Sequence, residues 1–433
     1  MKGIIKVMLC GILAATAILG GCSKGNGNDG GGPSYKERDM TYAPVYDAVT
    51  YPDTLWTAEP VYEYAPELDR TSDEIPADEG VIKGLWLRSD YDGKESYAFG
   101  YLGIPTGATK DNKYPAVLLV HGGGGTAYWQ WVKEWVSRGF VALALDMEGH
   151  VPTKAGTVND HPNQLYTTSQ YTTPKNSNYG DADNNPIEKT WMYYATSTAI
   201  RGNTLLHHLE FVDEYKVGVC GISWGGVITS IITGYDDRFA FSIPIYCSLN
   251  IYGSGGNLST YYNNHYKAMV WDDDMGIAER TTPIQFILLD SDKSATPDSV
   301  SYTYGRCQNA RITILRGNLH SHGHALTYYE AYEFASSIVN NKNLVTFNTQ
   351  PTAMDETLTV TLPKGVTISK AYIATTEEDV TKIPSWRYRP LQVNKNTISV
   401  GFEFGADENV TNFYVCVVDS LGNTTSTKVV KVS

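Results

Sequence analysis

Lys216-Val217-Gly218-Val219-Cys220-Gly221-Ile222-Ser223-Trp224-Gly225-Gly226 runs a β-branched stretch into a serine flanked by glycines, and residues 227–232 continue as an apolar, helix-compatible segment. Strand, tight turn and helix in that order make a nucleophile elbow. Gly221 and Gly225 leave room for a strained turn. Ser223 then stands above the C-terminal edge of a sheet. The backbone N–H of Trp224, at the start of the helix, is placed to stabilise an oxyanion.

A serine hydroxyl is a poor nucleophile near neutral pH and needs a histidine base held by a carboxylate. The chain supplies both, in the order Ser, acid, His that an elbow requires. Leu288-Leu289-Asp290-Ser291-Asp292 ends one apolar strand, and Leu319-His320-Ser321-His322-Gly323-His324 follows another. Asp292 lies further into its loop, before a Thr296-Pro297 turn, and a loop carboxylate clears the strand to reach a histidine. Asp292 is therefore the expected acid, with Asp290 as the alternative. His320 comes first after its strand and is the expected base, with His322 next. Alternate histidines in an extended loop also suit a metal, but no carboxylate pattern accompanies them and no metal site is expected. For the second oxyanion donor the run 121–125 (His-Gly-Gly-Gly-Gly) is suited, because glycines let the backbone approach a substrate. Gly123 is the first choice and Gly124 the second. The lysine of a phosphate-binding loop is absent.

The elements that must position these residues follow from periodicity. Residues 81–88 and 96–104 read as strands joined by a hairpin turn at Tyr91-Asp92-Gly93-Lys94. Continuous apolar runs at 114–120, 140–145, 240–246, 284–289 and 311–315 have the character of strands buried on both faces. Helical stripes lie at 128–137, 191–209 and 328–339. Alternating buried strands and helices imply an α/β fold with a doubly wound, mostly parallel sheet. Two long polar segments, 150–186 and 248–279, are the expected substrate-binding rim. Asp181-Ala182-Asp183 and Asp272-Asp273-Asp274 read as solvated turns. Beyond 341–343 the period becomes two, as in Phe413, Val415 and Val417, and a small antiparallel β-sandwich of immunoglobulin size is expected.

The chain has 433 residues, with 34 basic against 47 acidic side chains and a net charge of −13. That acidic balance, without a basic stripe, argues against nucleic-acid binding. Lys2 and Lys6 precede an apolar stretch at 7–19, and Leu19-Gly20-Gly21-Cys22 resembles the lipobox of bacterial lipoproteins. Cys22 would carry the lipid, followed by a flexible tether at 23–33. The expected location is the bacterial cell envelope, anchored to a membrane rather than spanning it. Cys220, Cys247, Cys307 and Cys416 read as small buried residues. The expected organisation is a signal peptide at 1–21, tether and arm at 22–80, a catalytic α/β domain at 81–342 and the sandwich at 343–433.

Together these residues resemble the α/β-hydrolase superfamily and, more narrowly, are similar to bacterial acetyl xylan esterase and dienelactone-hydrolase-like proteins. The blocks are 97–105, 120–127 with Trp131-Val132, Arg138-Gly139-Phe140, 221–226, Asp236-Asp237-Arg238-Phe239 and His320-Ser321-His322-Gly323, with a weaker continuation at Trp386-Arg387. The resemblance implies Ser223 as nucleophile, Asp292 as acid, His320 as base and the amides of Gly123 and Trp224 as oxyanion donors. It implies hydrolysis of short acyl esters on plant polysaccharides without a cofactor. Relatives show a glycine and a polar residue before the acid where this chain has Leu289-Asp290-Ser291, which keeps Asp290 and Asp292 both open. Cousins in the prolyl-oligopeptidase group cleave peptides, and an inactive surface glycan-binding protein is the rival from another class.

Overall fold

The computed structural model describes residues 49–153, 166–252, 254–317, 319–354, 356–401, 407 and 409–432. Cys22, the lipobox and the tether lie outside them. Among the described residues no helix is long and apolar enough to cross a membrane.

The arm packs where it leads. Tyr51 stacks on Tyr193 at 5.0 Å. After the short helix α1 (Thr54–Thr57), strand β1 (Tyr62–Tyr64) adds an antiparallel edge to β2 (Gly80–Arg88). β2 pairs with β3 (Tyr97–Pro105) without a break from Arg88↔Tyr97 to Gly80↔Pro105. Asp92 (φ 50°) and Gly93 (φ 70°) turn the chain between them, as their residue types require.

The parallel strands are β4 (Tyr114–Val120), β5 (Val141–Leu145), β8 (Val212–Ile222), β9 (Phe241–Ile245), β10 (Ile284–Leu289) and β11 (Ala310–Leu315); β6 (His150–Pro152) and β7 (Tyr166–Thr168) form a separate ribbon. The nine-stranded sheet has the order β1-β2-β3-β5-β4-β8-β9-β10-β11. Helices α2 (Trp129–Val136), α3 (Trp191–His208), α4 (Trp224–Tyr235), α5 (Ser259–Asn264), α6 (Met275–Ala278), α7 (Pro297–Arg306), α8 (His322–Ala325) and α9 (Tyr329–Val339) surround it. Trp135 of α2 meets Tyr332 of α9 at 4.7 Å, while α3 packs with α4.

Strand order reverses between β4 and β8, which leave their common edge in register, Val120 opposite Gly221. In open α/β sheets that crevice, outside the carboxyl ends of the strands, is where ligands bind. It receives both the glycine run and Ser223. β10 and β11 are in register to Leu289↔Leu315, so the loops carrying Asp292 and His320 also emerge side by side.

Two local readings are corrected. Thr296-Pro297 is not a free turn; Pro297 opens α7, a position where its missing N–H goes unneeded. The aspartates at 272–274 are not all solvated. Asp272, 0% exposed, accepts the amides of Ile251 and Tyr252 at 2.9 and 2.8 Å, and Asp274 accepts Asn250 Nδ2 at 2.6 Å. Buried loop amides need acceptors, and these carboxylates supply them.

The C-terminal region forms two antiparallel sheets. One has β12 (Thr346–Phe347), β13 (Glu356–Thr361), β17 (Thr397–Val400) and β16 (Gln392–Asn394). The other has β15 (Arg387–Pro390), β14 (Ile368–Thr376), β18 (Asn412–Asp419) and β19 (Thr424–Ser426), with β20 (Val430–Lys431) beside β18. Phe413, Val415 and Val417 share a separate core with Leu358, Val360 and Ile398. The intervening Tyr414 and Cys416 join the core of the α/β layer. β18 is thus buried on both faces, and β19 caps the open edge of β11: Ile314 N–H donates to Ser426 Oγ at 2.9 Å and Thr313 Oγ1 to the Thr424 carbonyl at 2.9 Å.

Asp298, the second residue of α7, is 0% exposed, and burial pushes its carboxyl up to about 6. A folded-state pKa above the unfolded one supports folding below about pH 4, and that support is lost as pH rises through about 6. Asp298→Asn removes the cost of ionisation. Its unfolding free energy should match wild type near pH 4 and exceed it near pH 7 by up to about 3 kcal/mol; a constant difference across that range in calorimetry refutes the assignment.

Candidate active site

Ser223 sits between β8 and α4 at φ 58°, ψ −118°, a conformation rare for a residue with a side chain. The strain is held from both sides. Its N–H donates to the Ile245 carbonyl at 2.9 Å, and its own carbonyl accepts Gly226 and Val227 N–H at 2.8 and 3.2 Å. A Cβ on Gly221 would run into the Gly225 carbonyl oxygen, so the turn admits no side chain there.

His320 lies against this serine. Its Nε2 is 2.7 Å from Ser223 Oγ, and its Nδ1 is 2.7 Å from Asp292 Oδ2. Asp292 is 0% exposed, and its other oxygen accepts the Ser294 amide at 2.7 Å. With Nδ1–H donated to the carboxylate, Nε2 is free to accept the serine proton. Sequence reasoning missed Tyr246, the residue after β9. Its ring stacks on His320 at 4.3 Å, and its hydroxyl lies 3.0 Å from the Ser321 carbonyl and 3.0 Å from Tyr328 Oη. An aromatic at a strand end carries no sequence signal for that task; its φ of 70° marks it only in three dimensions.

The alternative residues have other partners. Asp290 is occupied by donors from the C-terminal sheets and does not reach the histidine. His322 begins α8, where its Nε2 accepts the Gly122 N–H at 2.9 Å. Burial, with His121 and His320 adding to it, pushes its pKa down to about 3, so it stays a neutral acceptor. Gly124, at φ 68°, donates to Glu148 Oε2 at 3.0 Å. Among the described residues no cluster of three His, Cys, Asp or Glu side chains could hold a metal ion.

Amide accounting then isolates two donors. Gly122 is committed to His322, Gly124 to Glu148 and Gly125 to the Gly122 carbonyl. The N–H groups of Gly123 and Trp224 have no partner among the described residues. The indole of Trp224 lies against Gly123, since a Cβ there would come within 2.6 Å of Trp224 Cδ1. Asn176 Nδ2 bonds Glu148 Oε1 at 3.0 Å beside this loop, a polar wall that the sequence did not reveal.

Parts of the two long polar segments meet at the elbow. Tyr179 from the first packs edge-on to Trp224 at 5.2 Å, and Tyr261 from the second stacks on it at 6.0 Å. His265 Nδ1 to Asp183 Oδ2 at 2.7 Å latches the segments together. Residues 154–165 of the first segment lie outside the described residues.

No family model and no curated protein matches the chain. Among solved structures it is similar to an acetyl xylan esterase from Paenibacillus sp. R4, at 16% identity and TM-score 0.49, covering 69% of this chain and 98% of that one. An acetyl xylan esterase from a Thermoanaerobacterium species gives 15% identity and TM-score 0.49, over 66% and 93%. A glucuronoyl esterase from Solibacter usitatus gives 14% and 0.47, over 69% and 90%.

Gly123→Ala should push the loop amide away from Trp224 while leaving Ser223 and His320 in contact. Labelling of Ser223 by an aryl fluorophosphonate, which develops negative charge on oxygen, should slow by about 100-fold. An unchanged labelling rate with an unchanged melting temperature removes Gly123 from the site.

Proposed function

We propose that this chain is a serine esterase that removes short acyl groups, acetyl foremost, from carbohydrate. The observation that carries the reading is the unbroken line from Ser223 Oγ through His320 to buried Asp292, at 2.7 Å on each side. The carbohydrate preference is supported by the sequence blocks shared with acetyl xylan esterase-like proteins.

In this mechanism Ser223 Oγ attacks the ester carbonyl as His320 Nε2 takes its proton, and Asp292 stabilises the resulting imidazolium. The amides of Gly123 and Trp224 receive the oxyanion. His320 returns the proton to the departing sugar oxygen, and water repeats the sequence on the acyl-enzyme. No cofactor enters any step. Residues 81–342 are read as the catalytic domain and 343–433 as a small immunoglobulin-like sandwich. A lipid on Cys22 would anchor the protein in the bacterial cell envelope.

The test is a panel of aryl acetate, aryl butyrate, acetylated xylan and a prolyl aryl amide, each run beside Ser223→Ala. Acetate release should vanish in the variant, with at least about a 10⁴-fold loss, while folding is retained. Retained activity rules the mechanism out, amide cleavage alone moves the chain to the peptidases, and silence throughout favours a glycan-binding protein. The anchor has its own measurement: Cys22→Ala should shift the expressed protein from the membrane fraction to the soluble one, and an unchanged distribution rejects lipidation there.

A further inference from the structure

Asp290 leaves β10 two residues before Asp292 and is 1% exposed. Its Oδ1 accepts Ser291 Oγ at 2.9 Å and the Gly317 N–H at 3.0 Å. Its Oδ2 accepts Tyr414 Oη at 2.8 Å and also Tyr388 Oη, and its carbonyl accepts Trp386 Nε1 at 2.8 Å. A buried carboxylate is costly unless its lone pairs are met, and here four donors meet them. Burial lifts both tyrosine hydroxyls above the ordinary phenol range, and the Asp290 charge adds to it, so both remain donors.

Placement gives this cluster its meaning. Ser291 adjoins Asp292, and Gly317 lies three residues before His320, so one carboxylate ties the acid loop to the base loop. Ser291 N–H also donates to the Gly317 carbonyl at 3.2 Å. The far end of the acid loop is held by Asn257 and Leu258, whose amides bond the carbonyls of Lys293 and Ser294 at 2.7 and 3.0 Å. That strut rests on the C-terminal region too: a Cβ on Gly255 would run into the Thr381 carbonyl oxygen. Docking of the sheets does not depend on Asp290. The β11–β19 bonds do that work, as does the Val429 N–H donated to Ser301 Oγ at 3.2 Å.

We propose that Tyr388 and Tyr414, reaching in from the C-terminal sheets, are positioning residues for the triad: through Asp290 they set the separation of the Asp292 and His320 loops. The proposal rests on the serine-hydrolase reading of Ser223, His320 and Asp292. The C-terminal region is then part of the catalytic apparatus, and Asp290 is the joint through which it acts.

The experiment uses the full-length protein in detergent with Tyr388→Phe, Tyr414→Phe and the double variant, which keep the rings and remove the donors. Val415→Ala is the control, since Val415 faces the separate C-terminal core and loosens the sheets without touching Asp290. On an aryl acetate each tyrosine variant should lower kcat about tenfold, and the double variant about a hundredfold, with KM within about twofold. Val415→Ala should lower the melting temperature and leave kcat in place. Turnover is paired with proton NMR of the low-field His320 Nδ1–H signal, identified by its loss in His320→Gln; the double variant should broaden or shift it upfield. Unchanged kcat and an unchanged proton signal in the double variant overturn the proposal. So does a kcat loss in Val415→Ala as large as in the tyrosine variants. Half-buried Tyr388 tests the point even where Tyr414→Phe fails to fold. A wild type inert on every ester defeats the serine-hydrolase reading, while the proton signal still judges the clamp.

Discussion

The contact between His320 Nε2 and Ser223 Oγ, 2.7 Å, is the distance on which the rest of this structure depends. Nothing local creates it. Ser223 stands at the end of β8 and His320 in the loop after β11, 97 residues later. Two parallel strands, β9 and β10, separate β8 from β11, and both bring support: Tyr246 follows β9, and Asp290 with Asp292 follows β10. A shift of one register step in any of those pairings would move the histidine by about 3.3 Å along the strand, far beyond hydrogen-bond reach.

The edge where these loops emerge is dense with buried carboxylates: Asp146, Glu148, Asp290 and Asp292 are each at most 5% exposed. Each accepts hydrogen bonds from named donors. Asp146 Oδ2 accepts the amides of Glu148 and His150 at 3.1 and 2.8 Å, and Glu148 accepts from Gly124 and Asn176. A carboxylate held by several amides or hydroxyls is rigid, and rigidity is what a catalytic site needs from its surroundings. The elbow shows the same economy in backbone form, with a strained Ser223 over-determined by bonds on both flanks.

Much of this was legible in one dimension. The glycine-flanked serine, the apolar runs at 114–120 and 284–289 and the turn at Asp92-Gly93 each declare themselves because strands, elbows and tight turns impose local steric demands. The order Ser, Asp, His and the glycine run at 121–125 pointed to the crevice for the same reason. Less was legible where several roles suit one residue type. Pro297 suits a turn or a helix start, and aspartates at 272–274 suit solvent or buried amides; only their neighbours in space distinguish these.

What the sequence determined by itself was the set of parts: an α/β layer, an elbow, and acid and base candidates on late loops. Tertiary structure decided which of them meet. Asp290 and Asp292 differ by two positions, yet the first accepts Tyr388 and Tyr414 from more than ninety residues away while the second lies beside His320. His322 is likewise taken by the Gly122 amide, 200 residues distant in the chain. Hydrogen-bonding capacity is a local property of a side chain, but which partner fills it is settled by register and packing across the whole sheet.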